Sequence, residues 1–149
     1  MIFLKPKLKY FRLNENARTP TRASRKSACW DLYAAEDTSV VFDIITKVST
    51  GLRLIIPKGY RVDVKPRSGL FYKHGIIIGN SPGTIDEDYP GETCVLLTKV
   101  LRGPKFRIKK GDRIAQISLE KVIDAKIQET TRLPRDDGDR RGGFGSTGR

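Results

Sequence analysis

Four short stretches place polar and charged side chains where a scaffold alone would not need them. In KPRSGLF (65–71), an arginine and a serine follow an alternating segment and open a possible helical turn. Arg67, the Ser68 hydroxyl and the backbone N–H groups of such a start suit a phosphate. The same residues also read as a strand-ending turn with Ser68 as N-cap. In GNSPGTIDEDYPGE (79–92), Asp86, Glu87 and Asp88 come after two turn signals and before Tyr89. Alternation sends Asp86 and Asp88 to one side and Glu87 to the other. A carboxylate at a strand end beside a cleft can take a proton from water. A charged surface turn would account for the same acids. In KKGDRIAQISLE (109–120), Gln116 interrupts an apolar strand, where an unpaired amide costs about 1–3 kcal/mol. Arg113 lies three residues earlier and faces the opposite side if the strand is regular. Asp31, between Trp30 and Leu32, is an acid in an apolar run and needs a partner, most simply an arginine.

The frame that must hold these residues is β. From about Val40 to Leu119, GYRVDVKP and KFRIKKGD alternate, with Tyr60, Val62 and Val64 on one face of the first and Arg61, Asp63 and Lys65 on the other. LRLIIP, GIIIGN, TCVLL and RIAQISL are apolar runs suited to buried strands. Turn formers separate them at PKG, SPG, YPG, RGP and KKGD. SGLFYK, Ser68 to Lys73, is the one helical turn in the pattern, and His74 at its end reads as structural. Many short strands with this punctuation predict an all-β fold, a jelly-roll-like barrel or sandwich. After about Ile127 the alternation stops. Residues 1–127 therefore read as one β domain, and 128–149, polar and glycine-rich, as a flexible C-terminal arm.

Composition narrows the classes. A chain of 149 residues fits one domain. It has no stretch approaching the roughly 20 apolar residues of a membrane span, and its start lacks the apolar centre of a signal peptide. Cys29 and Cys94 stand far apart and read as reduced, buried thiols, which places the protein in the cytoplasm or nucleus and not outside the cell. With one histidine and no Cys/His cluster, a zinc site is not expected. The formal charge of +12 favours anionic partners such as nucleotides or nucleic acid.

Taken together, five stretches resemble the motifs of the trimeric dUTP pyrophosphatase (dUTPase) family, in the family's order: ACWDLYAAED (28–37), PRSGLF (66–71), GNSPGTIDEDYPGE (79–92), GDRIAQISLE (111–120) and RRGGFGSTG (140–148). The resemblance spans nearly the whole chain. It implies hydrolysis of dUTP to dUMP and pyrophosphate by water attack on the α-phosphorus, with Mg²⁺ held mainly by the triphosphate and Asp31 acting near it, through water or Arg113. It implies that Asp86 orients and deprotonates the water and that Gln116 contacts that water and the α-phosphate. Arg67, Ser68 and Gly69 would hold the phosphate chain. The hairpin from Gly75 to Tyr89, through Asn80, Gly83, Thr84 and Ile85, would offer uracil a base-pair-like edge. Tyr89 would pack under the deoxyribose. The arm would close over the nucleotide, with Phe144 on uracil, Gly145 allowing close approach, and Ser146 and Thr147 with Arg140 or Arg141 on the γ-phosphate.

The resemblance also implies a homotrimer whose subunits share each active site. Three positions depart from the pattern. Cys29 stands where glycine is usual, Pro90 where arginine or glutamine is commoner, and Asp139 where the arm's arginine usually lies five residues before the phenylalanine. Three other readings stand beside the enzyme. One is a basic nucleic-acid-binding or regulatory protein on an inactive fold of this kind, since RRGGF also resembles RNA-binding tails. The second is the related dCTP deaminase branch, against which GTIDEDY and GGFGSTG argue. The third is an inactive homologue.

Overall fold

The computed structural model describes residues 5–133. Among them, eleven strands and one short helix follow in order: β1 (Lys9–Arg12), β2 (Trp30–Tyr33), β3 (Thr38–Val40), β4 (Thr46–Ser49), β5 (Leu52–Ile55), β6 (Tyr60–Lys65), α1 (Ser68–His74), β7 (Ile76–Ile78), β8 (Gly83–Ile85), β9 (Cys94–Lys99), β10 (Phe106–Ile108) and β11 (Arg113–Lys121). They build a four-stranded sheet β2-β11-β6-β8, a three-stranded sheet β4-β9-β7, and two ribbons, β1-β5 and β10-β3. Every pairing between these strands is antiparallel. The fold is all-β and jelly-roll-like, as the strand punctuation predicts. No helix among the described residues is long and apolar enough to cross a membrane.

Alternation explains why these segments are strands. Leu52 and Leu54 of β5 are buried while Arg53 and Ile55 are exposed, and Val95, Leu97 and Lys99 of β9 point inward. One core unites the four sheets: Leu32, Val40, Val48, Val62, Ile76, Leu97, Ile108 and Ile117 are all essentially inaccessible. Each such side chain contributes about 1.5–3 kcal/mol through burial.

The structure corrects several expectations. Strands begin earlier than Val40, with β1, β2 and β3. The polar face of β6 is not all solvent, because Asp63 is buried and held by Arg61 at 3.0 Å. Gly75 to Tyr89 is not a paired hairpin: β7 pairs with β9 and β8 with β6, so the segment crosses from one sheet to another. Ser68 is not the N-cap of α1. That position is Arg67, with extended backbone and no side-chain cap, which leaves the Ser68 hydroxyl uncommitted to the helix start. Cys29 and Cys94 are free thiols but half-buried rather than buried. Gly75 ends α1 in the left-handed region (φ 64°), and its N–H donates to the Phe71 carbonyl. A Cβ there would lie 2.5 Å from Leu101 Cγ.

Candidate active site

The basic cluster is built by one irregularity in β11. Pairing with β2 slips between Arg113 and Ala115, a β-bulge. A bulge inserts one residue, so the strict alternation that would oppose Arg113 and Gln116 no longer holds. Gln116 is paired in register with Asp31, and Arg113 Nη1 lies 3.5 Å from Asp31 Oδ2. Arg67 completes the group: its Nε donates to Asp31 Oδ1 at 3.1 Å and its Nη1 to the Arg113 carbonyl at 3.2 Å. The Gln116 amide donates to the Pro66 carbonyl at 2.9 Å. Asp31 thus has the arginine partner that its apolar neighbours call for, and a second one. The two arginines border a cavity of about 290 Å³ beside Leu70, Phe106 and Asp112. Ser68 and Gly69 follow Arg67 at the start of α1, whose first N–H groups have no acceptor within the helix.

The acidic stretch borders a larger cavity, about 470 Å³, within the range of small-molecule sites. Asn80, Gly83, Thr84, Ile85, Asp86 and Tyr89 all line it. β8 lies against the edge of β6, with Ile85 opposite Val62 and Gly83 opposite Val64. A Cβ on Gly83 would meet the Asn80 amide at 3.3 Å, so glycine lets these two residues close together. The Asp86 carbonyl accepts from the Tyr89 N–H, and the Tyr89 hydroxyl donates to the Glu92 carbonyl at 3.3 Å. The ring lies across Gly91, where a Cβ would be 2.5 Å from its hydroxyl oxygen. Glu87 turns the other way and accepts from the Gly59 N–H at 2.8 Å, bracing the turn before β6.

The far wall comes from residues to which sequence reasoning assigned no role: Lys47, Val64, Ile78, Cys94 and Leu96. No local pattern marks them, because they come from β4, β6, β7 and β9 and meet only in the folded chain. Burial, and then the neighbouring Glu92, push the Cys94 thiol above its ordinary pKa.

The two cavities do not merge. Counting along β6, Asp86 falls opposite Arg61 and Gln116 opposite Lys65, with two strand spacings between them. Standard strand geometry then separates the two residues by about 16 Å. One chain therefore holds the acid and the basic cluster apart. Arg140, Arg141, Phe144, Gly145, Ser146 and Thr147 lie outside the described residues. Among the described residues, no three His, Cys, Asp or Glu side chains gather as a metal cage.

A family model described as dUTPase matches residues 15–148 of the chain. The deoxyuridine 5′-triphosphate nucleotidohydrolase of Nautilia profundicola is 44% identical over 144 residues, covering 96% of this chain and 99% of its own. The Zymomonas mobilis protein of the same name is 45% identical over 149 residues, covering 97% and 99%. Among solved structures, the Staphylococcus bacteriophage 80alpha dUTPase with dUPNHPP superposes with a TM-score of 0.85, covering 95% of this chain and 98% of its own at 23% identity. At that identity the superposition speaks for the fold.

Proposed function

The chain belongs to the dUTPase family, and on that premise we propose that it is a dUTP diphosphatase that forms dUMP and pyrophosphate and so keeps uracil out of DNA. The observation that carries the reading is the 470 Å³ cavity in which Asp86 and Tyr89 stand beside the Gly83–Ile85 backbone and Asn80. Fixed backbone groups there present an edge to uracil, and Asn80 adds a side-chain amide. Cytosine would set its exocyclic amine against donors, and thymine would bring a methyl group into the wall. An edge built from hydrogen-bonding groups rejects a base that leaves them unpaired. Tyr89 packs under the deoxyribose and crowds out a ribose hydroxyl.

The reaction is a displacement at the α-phosphorus. Asp86 takes a proton from water as the water oxygen bonds to phosphorus. The bond from that phosphorus to the α–β bridging oxygen breaks, and pyrophosphate leaves with the electron pair. Arg67, Ser68 and Gly69 hold phosphate oxygens, and Gln116 contacts the water and the α-phosphate. Asp31 is the positioning residue here, since its two oxygens hold Arg67 and Arg113 in one orientation. Aimed charge matters more than a strong nucleophile in phosphoryl transfer.

Mg²⁺ supplies charge neutralisation on the phosphate oxygens when bound. The donor set fits a hydrated ion carried by the triphosphate, because direct ligation by Asp31 would break two ion pairs whereas contact through water breaks neither. The distance between Asp86 and Gln116 supports a shared site in which one subunit's acid faces another's basic cluster, and the assembly we propose for it is a homotrimer. The arm then completes the site, with Phe144 on uracil, Gly145 at the backbone approach, and Ser146 and Thr147 with Arg140 or Arg141 on the γ-phosphate.

The test is pyrophosphate release, with Mg²⁺, from dUTP, dTTP, dCTP and UTP side by side. Turnover confined to dUTP is expected. Release from none of the four would overturn the proposal.

A further inference from the structure

β9 breaks its own pattern at its last residue. Val95, Leu97 and Lys99 occupy the three inward positions, and the third is a lysine only 7% exposed. Its Nζ donates to the Leu101 carbonyl. An ammonium carries three donors, and among the described residues no carboxylate lies within 4.0 Å of it. Burying a cation without a counter-charge is costly, so the surroundings of Lys99 need an explanation.

Those surroundings are basic. Lys99 borders a cavity of about 290 Å³ together with Lys73, His74, Arg102 and Lys105. No acidic residue lines it. The nearest acid that hydrogen bonding identifies is Asp43, whose N–H donates to the Lys99 carbonyl at 3.0 Å. Its carboxylate makes no ion pair with the cluster.

Two of the basic groups are held by aromatic rings. Arg102 lies over the Phe42 ring at 4.9 Å, His74 packs on Phe106 at 4.6 Å, and Lys73 and His74 end α1, where its dipole favours cations. The cavity shares no residue with the one beside Asp86 and meets the Arg67–Arg113 cavity only at Phe106.

From this cavity we infer a second anion site, separate from the catalytic one, that takes a phosphoryl group or short polyphosphate. Three lysines and an arginine line the cavity, and a monocarboxylate would neutralise only one of them. A phosphoryl group brings about −1.5 to −2 charge and several acceptor oxygens. Arg102 can engage two oxygens at once while the lysines act as point charges. The same chemistry is offered by a free phosphate or pyrophosphate and by the backbone of a nucleic acid.

Backbone amide NMR on the full-length protein tests this. Inorganic phosphate, pyrophosphate and a short single-stranded DNA are titrated separately. Saturable shifts at Leu101, Gly103 and Lys105 are expected, distinct from any at Ser68 and Gly69. Arg102→Glu combined with Lys105→Glu should weaken them about tenfold or more while dUTP turnover stays unchanged. If that double variant does not fold, Lys105→Glu alone serves, since Lys105 is at the surface. Saturation by phosphate or pyrophosphate identifies a small-anion site. Saturation by DNA alone identifies backbone phosphates as the ligand. Absent or non-saturating shifts, or shifts that survive both variants, would overturn the inference.

Discussion

Asp86 is exposed to solvent on the single chain, next to the turn closed by Tyr89. Water reaches it freely there, and under the proposed mechanism its contribution is a carboxylate at a fixed position. Asp86→Asn keeps the shape and removes the base. Pyrophosphate release from dUTP should fall about 10²–10⁴-fold with dUTP binding largely kept, and full activity would remove Asp86 from the mechanism. Cys94, on the wall of the same cavity, has its thiol pKa raised by burial and by Glu92. A raised pKa means less thiolate at any given pH, and only the thiolate reacts. Alkylation of Cys94 by iodoacetamide, followed by peptide mass spectrometry, should therefore be slower at neutral pH than for a free cysteine. The difference should narrow as the pH rises above the free-cysteine pKa. At this scale the sequence was informative where a residue contradicted its surroundings. Asp31 in its apolar run asked for an arginine, and Arg67 and Arg113 answer. Lys47 and Cys94 contradicted nothing, so nothing local marked them.

Elements position these residues through their irregular points. The β11 bulge carries Arg113 to Asp31, beside Gln116, and period-two reading cannot foresee a bulge because it assumes the regular pleat. The crossing from β7 to β8 sends one stretch of chain between two sheets, with Asn80 and Gly83 in contact at the corner. Gly75 is a third such point, since it ends α1 and lies against Leu101. Gly75→Ala should destabilise the fold by at least about 1–2 kcal/mol from the left-handed backbone alone. The contact with Leu101 adds to that, and the lysine and arginine of the neighbouring loop should shift with it. Chemical denaturation measures the cost: a loss no larger than the backbone share would show that the loop yields freely, and an unchanged midpoint would overturn the prediction.

On the scale of the whole molecule, the separation of Asp86 from Gln116 makes the proposed sharing of sites between subunits testable through activity. If one subunit supplies the acid and another the glutamine, two inactive variants can repair each other. Asp86→Asn and Gln116→Ala, co-refolded in equal amounts, should regain about a quarter of wild-type activity, since a random pairing leaves one site in four intact. No recovery would mean that both residues serve the same site from one chain. The exposed apolar residues Ile44, Ile45, Phe71, Tyr72 and Ile123 also leave surface for subunit contact.

Residue order alone was enough for the strand-rich class, the helical turn after Lys65, the order of the motifs and the identity of the chemical groups. These depend on residue type, alternation and turn formers, all of which are local. It took the folded chain to show that Asp31 is shared between two arginines, that β7 and β8 belong to different sheets, and that the acid and the basic cluster stand apart on one chain. The fold also decided that Lys99 is buried among other cations. Each of these depends on strand register and sheet order. Those follow from the best burial of the whole apolar set rather than from any window of neighbouring residues.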